Sequence, residues 1–244
     1  MHPNRARVLA AEIDAAHLRR RLLDADADGR DLPDLAAAYA VQRELTALRT
    51  ARGARRIGWK LGYTSAAMRE QMRVDAPNLG PLLDSMLVPD GGAVPAHLVH
   101  PRAEPEIAVR IGADGEPVEV RAALEIVDSV WRDYWFTLEA NTADGSSAAG
   151  VVLGPVLPAD GLDVLAVQVR RNGEPAGRGS GAAAMGHPFT ALRWLAGELP
   201  RRGERLCPGD LVITGGLTAA VPIEPGDEIA AVFGDGTEVR VRRP

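Results

Sequence analysis

From about residue 85 onward, glycine and proline become frequent, and many of the runs between them are short and rich in β-formers. This punctuation limits the fold more than any other feature of the sequence, because most of the intervals are too short for a helix. Strands are expected over 106–111, 124–127, 151–153, 164–171, 211–214, 228–233 and 238–241. Asn172-Gly173 is a hairpin-turn signal, Pro-Gly-Asp turns precede two of the strands at 208–210 and 225–227, and Asp235-Gly236 turns the chain into the last. The glycine-rich stretch 177–181 reads as a loop, and one helix opens near Pro188 with Leu192, Leu195 and Leu199 on its face.

The first fifty residues have a different period. Val8, Leu9, Ile13, Leu18, Leu22 and Leu23 recur at helical spacing. A polar loop over 25–30 follows, and then a second helix with Pro33 in its first turn and Gly53 as its stop. A short third helix is expected after Thr64, with Met68 and Met72 on one face. The prediction is an α+β chain, with a small helical N-terminal region over 1–55 and a mixed-β core over 56–244.

Bulk properties exclude several classes. The net charge of -5 comes without a basic stripe, which argues against nucleic acid. Cys207 is the single cysteine, so neither an intrachain disulfide nor a cysteine-rich zinc site can form. Neither a long apolar run nor a signal-like N-terminus is present, so a cytoplasmic protein away from membranes is expected.

The stretch 101–108 (PRAEPEIA) carries the most chemistry. On an extended chain Glu104 and Glu106 project to one face, where two carboxylates repel and raise each other's pKa unless a cation relieves them. Glu125 sits inside an apolar run, where a lone charge is costly. Oxygen-only ligands would favour a hard ion such as Mg²⁺ or Mn²⁺; the alternative is a solvated edge strand with all three glutamates facing water. Lys60 lies mid-strand between Gly58 and Gly62, and read alone it faces outward; inward, a desolvated amine could move a proton. Ser146 and Ser147 could offer hydroxyls, and His187 at a helix start reads as a cap. There is no nucleophile elbow, Walker loop or dinucleotide fingerprint.

Five stretches together resemble the hydratase/decarboxylase group of the fumarylacetoacetate hydrolase superfamily: 58–65 (GWKLGYTS), 101–108 (PRAEPEIA), 123–129 (ALEIVDS), 186–188 (GHP) and 209–216 (GDLVITGG). The resemblance implies a rolled mixed β-sheet core, with Glu104, Glu106 and Glu125 as ligands of Mg²⁺ or Mn²⁺ and Lys60 as a catalytic residue. It puts Ser146 near the substrate, with Asn78 and Leu82 as further substrate-binding candidates. It also implies a homo-oligomer, and it admits a complex with a related pathway enzyme in aromatic catabolism.

The implied activity is that of a metal-dependent lyase on a small 2-oxo or 2-hydroxy-dienoic acid. Decarboxylation of 2-oxo-3-hexenedioate (4-oxalocrotonate) is preferred, with hydration of 2-hydroxypenta-2,4-dienoate (2-keto-4-pentenoate) as the alternative. Hydratases of the group usually carry an aspartate where this chain has Asn78, and an amide cannot act as a base. An acylpyruvate C–C hydrolase needs a histidine–glutamate pair that has no match here, and a non-catalytic 2-oxo-acid-binding subunit is the remaining reading. Two departures from the group, the short turn 113–115 and the sequence 143–147 (ADGSS), are expected to lie close to the metal site.

Overall fold

The structure is a computed structural model that describes residues 1–28, 32–234 and 236–244; Gly29, Arg30 and Asp235, expected in turns, lie outside these. The first part of the chain runs α1 (Pro3–Arg19), α2 (Ala25–Asp28), α3 (Leu35–Ala51), β1 (Arg56–Gly62), α4 (Ala66–Met72), β2 (Asn78–Leu83) and β3 (Leu87–Val88). There follow β4 (Arg102–Ile111), β5 (Pro117–Val127), α5 (Leu138–Ala143), β6 (Ala148–Val156), β7 (Ala166–Arg171) and β8 (Glu174–Ser180). The chain ends with α6 (Pro188–Glu198), β9 (Leu211–Ile213), β10 (Val221–Pro222), β11 (Glu228–Phe233) and β12 (Thr237–Arg242).

The helical expectations need local correction. In α1 the buried face is Ala6, Leu9, Ala10, Ile13 and Ala16, whereas Val8 and Leu18 are exposed. Small alanines let α1 pack against Ala38, Val41 and Leu45 of α3, and bulk alone misjudged the face. Part of the expected 25–30 loop is the single turn α2, opened by Asp24, whose side chain accepts from the Asp26 amide. The cap of α3 is Asp34, accepting from Ala37 N, so Pro33 precedes the cap instead of occupying the first turn. His187 does cap α6, with Nδ1 accepting from Phe189 N.

Two sheets form the core. The larger has the order β2-β1-β9-β4-β5-β6-β3, with β10 on β4; β1–β9 and β3–β6 pair in parallel and the other pairs are antiparallel. The smaller has the order β12-β11-β7-β8. The larger curls into the mixed-sheet half-barrel expected from the resemblance. The stretch 177–181 is not simply a loop, because β8 runs to Ser180 and pairs with β7 across the Asn172-Gly173 turn. Its glycines are there for contact: a Cβ on Gly179 would lie 1.8 Å from the Leu217 carbonyl oxygen.

β4 runs seven residues beyond Glu104, about 23 Å, and the turn 113–115 closes the β4–β5 hairpin past its end. It is therefore far from the carboxylates, contrary to expectation. No helix among the described residues is long and apolar enough to cross a membrane.

Candidate active site

Strand alternation puts Arg102, Glu104, Glu106 and Ala108 on one face of β4, while Ala103, Ile107 and Val109 enter the main apolar core on the other. The β4–β5 register then sets Glu104 directly opposite Glu125. Like charges in that cross-strand position repel. One ligand atom from each of Glu104, Glu106 and Glu125 lies within 4.8 Å of the others, and Glu106 and Glu125 are fully buried. Gly215 N donates to Glu106 Oε2 at 2.7 Å, Glu106 Oε1 and Glu125 Oε1 have no hydrogen-bond partner, and Glu125 Oε2 has only the Lys60 ammonium beside it.

Neighbouring glycines make the cluster possible. A Cβ at Gly216 would stand 2.5 Å from Glu104 Oε2, so the turn after β9 gives the carboxylate room that any side chain would take away. Stretch 209–216 was legible in the sequence only as a match to the family; its role in seating the carboxylates required the structure.

Lys60 faces inward. Its ammonium is 3.2 Å from Glu125 Oε2 and donates to the Ser146 carbonyl at 2.7 Å, and the residue is 4% exposed. The outward orientation favoured by its strand position alone is thus overturned, because β9 joins β1 to β4 in the sheet and this side chain points at the glutamates. Burial pulls the Lys60 pKa down, yet Glu125, Glu104 and Glu106 outweigh it and the net shift is upward. The amine is therefore an ammonium here, a proton donor, and not the neutral base that burial by itself would make.

Ser146 and Ser147 adopt left-handed backbone (φ 58° and 59°), which turns the Ser146 carbonyl toward Lys60. The Ser146 hydroxyl donates to Asn78 Oδ1 at 2.8 Å, and Asn78 Nδ2 donates to Asn141 Oδ1 and Thr142 Oγ1, each at 2.9 Å. Asn78 is fully buried behind Ser146 and does not border the cavity. A carboxylate in its place would face two acceptors. Leu82 is also away from the cavity, packed with Leu83, Met86 and Ala123 in a separate apolar cluster.

The cavity above the carboxylates has a volume of about 250 Å³. Lys60, Glu104, Ser146 and Arg102 border it among its polar groups, and Met68, Met72 and Phe136 among its apolar ones. None of the described histidines lines it, so the histidine–glutamate pair of the hydrolase reading is not assembled there. Tyr63 and Thr64, which the sequence reading did not single out, also line it; burial and then the Glu104 charge raise the Tyr63 pKa, so the phenol stays protonated.

Burial first, and then the Glu125 charge, push Glu104 up to about 7 and raise Glu106 well above the ordinary carboxylate range; burial also raises Glu125. A folded-state pKa above the unfolded value gives stability that is complete below the unfolded pKa and lost as pH rises through the folded one. In chelator, the melting temperature is therefore expected to fall between pH 5 and 8, with up to about 3 kcal/mol from Glu104, lessened because that carboxylate borders the cavity. Thermal melts in EDTA across this range check it; a flat or rising profile would contradict the assignment.

Comparison with known proteins agrees with the geometry. Residues 57–242 match the family described as Fumarylacetoacetate (FAA) hydrolase C-terminal. The chain belongs to this family. Among fumarylacetoacetate hydrolase relatives, 4-oxalocrotonate decarboxylase of Pseudomonas sp. (strain CF600) is 39% identical over 221 residues, covering 83% of this chain and 84% of the relative. The 2-keto-4-pentenoate hydratase of Burkholderia vietnamiensis is 36% identical over 241 residues, covering 88% and 92%. The structure of 4-oxalocrotonate decarboxylase from Pseudomonas putida G7, complexed with magnesium and adipate, superposes with a TM-score of 0.93 at 32% identity, covering 100% of this chain and 99% of that one.

Proposed function

We propose that the protein is a divalent-metal-dependent lyase that decarboxylates a six-carbon 2-oxo-enedioic acid of the 2-oxo-3-hexenedioate type. The observation that carries this reading is the convergence of Glu104, Glu106 and Glu125, with buried oxygens of Glu106 and Glu125 left without hydrogen-bond donors, beside the Lys60 ammonium and under a half-open cavity. Three carboxylates with idle lone pairs fit a hard cation such as Mg²⁺ or Mn²⁺. Such an ion would supply Lewis-acid charge to a 2-oxo acid as negative charge develops on its 2-oxo oxygen.

The chain's own groups supply the rest. Lys60 holds a proton at Nζ, fixed by the Ser146 carbonyl, and can deliver it to the carbon chain after the distal carboxylate has left as CO₂. Met68, Met72 and Phe136 give the cavity apolar surface suited to the conjugated chain. Asn78 disfavours hydration as the outcome, since it offers no base and its amide is held by three hydrogen bonds. Assembly into a homo-oligomer, and the division into a helical region 1–55 and a core 56–244, belong to the same reading. Packing of α1 and α3 into a cluster of their own supports the division, although Trp131 and Ala140 complete that cluster from beyond residue 55.

An ultraviolet assay with Mg²⁺ tests this reading, using 2-oxo-3-hexenedioate and 2-hydroxypenta-2,4-dienoate while CO₂ is monitored. CO₂ release from the diacid, abolished by chelator, is expected. Loss of the dienoate chromophore without CO₂ would make the protein a hydratase, and inactivity on both would overturn the lyase reading.

A further inference from the structure

Arg102 borders the cavity and stands two residues before Glu104 on the same face of β4. Its guanidinium lies 3.8 Å over the Tyr134 ring. That ring is a fixed platform: the Tyr134 hydroxyl donates to the carbonyls of His100 (3.0 Å) and Val127 (3.1 Å), and His100 packs against the ring at 4.6 Å. Val127 is also the ladder partner of Arg102, so hairpin and platform hold the side chain together. No described carboxylate lies within ion-pair distance of Arg102, and no described group accepts a hydrogen bond from it. Most arginines around the core are committed, such as Arg52 to Asp14, Arg56 to Asp210 and Arg202 to Glu198. An oriented guanidinium left free at the edge of a cavity is suited to a planar, bidentate anion.

We infer that Arg102 determines specificity by binding the distal carboxylate of a dicarboxylic substrate whose 2-oxo-acid end lies at the glutamate cluster. This rests on the proposed 2-oxo-acid reading and adds the substrate's second charge to it. The spacing agrees: two residues of strand separate Arg102 from Glu104 by about 6.6 Å. Five carbon–carbon bonds of about 1.5 Å each, zigzagging along an extended six-carbon dioate, cover a similar span. The lining includes the apolar side chains of Val127, Met68 and Phe136, which suit the hydrocarbon middle. A five-carbon monoacid would leave the guanidinium unpaired.

A matched pair of unreactive ligands separates this inference from the reading beneath it. 2-Oxoadipate and 2-oxohexanoate have the same 2-oxo-acid head and six carbons and differ only in the distal carboxylate. Calorimetric titration of the Mg²⁺-loaded protein is expected to show the diacid binding at least about tenfold more tightly, as one charge-assisted pair implies. Arg102→Gln should erase that preference and leave the monoacid affinity within about twofold; Arg102→Lys should restore part of it, as a point charge without the fork. Equal binding of the two acids by wild type, or a preference that survives Arg102→Gln, overturns the role of Arg102 and leaves the 2-oxo-acid reading intact. Failure of both acids to bind in Mg²⁺ overturns that reading and the role of Arg102 with it.

Discussion

Replacing Lys60 with methionine lowers turnover by roughly 10²–10⁴-fold, the range for losing a positioned proton donor, while the protein still binds Mg²⁺. The expectation follows from two contacts. Lys60 Nζ is held by the Ser146 carbonyl and by Glu125 Oε2 at the floor of the cavity, so the proton it carries is aimed at whatever occupies that space. The variant also removes the cation that competes with a metal for the three carboxylates. Its Mg²⁺ affinity should therefore equal or exceed that of wild type. Without metal the same substitution leaves buried carboxylates uncompensated, and breaking a buried pair costs about 3–5 kcal/mol. The variant should thus melt well below wild type in chelator and recover in Mg²⁺. Turnover within tenfold of wild type, by the assay above, would remove Lys60 from the chemistry.

Glu106→Gln separates charge from shape. The amide oxygen can still accept from Gly215 N, so the turn after β9 keeps its anchor. The charge is lost from a residue with no exposed surface. A hard cation held by three carboxylates loses a third of its compensating charge, and Mg²⁺ affinity should fall at least about a hundredfold. In chelator the direction reverses: the variant no longer buries a carboxyl whose ionisation burial and Glu125 oppose, and it should be more stable than wild type at pH 8. Calorimetric Mg²⁺ titration and thermal melts in EDTA read the two effects separately. Unchanged Mg²⁺ affinity would show that the ligand set is wrong.

Much of the site was legible in the sequence because strand periodicity is local. The spacing of Glu104 and Glu106 placed both on one face, and Glu125 in an apolar run signalled a buried charge. Hairpin and turn chemistry at Asn172-Gly173 and at the Pro-Gly-Asp sites marked strands that the structure contains. The failures share a cause. Lys60 looks outward until β9, about 150 residues later in the chain, pairs beside β1. Gly179 looks like loop until the Leu217 carbonyl approaches it, and the packed face of α1 looks like Val8 and Leu18 until alanines on two helices meet. Asn78 and Leu82 lie close together in the chain, but Asn78 joins the polar network behind Ser146 while Leu82 enters an apolar cluster.

The sequence by itself determined the candidate residues for the chemistry and much of the secondary structure, since these depend on neighbours within a few residues. The tertiary structure alone decided what those residues meet: Glu104 opposite Glu125, Lys60 turned to the carboxylates, and Arg102 laid over Tyr134 without an acid. Each of these is a contact between segments distant in the chain, fixed by sheet order and register, and pattern along a single strand carries no record of which strand will lie beside it.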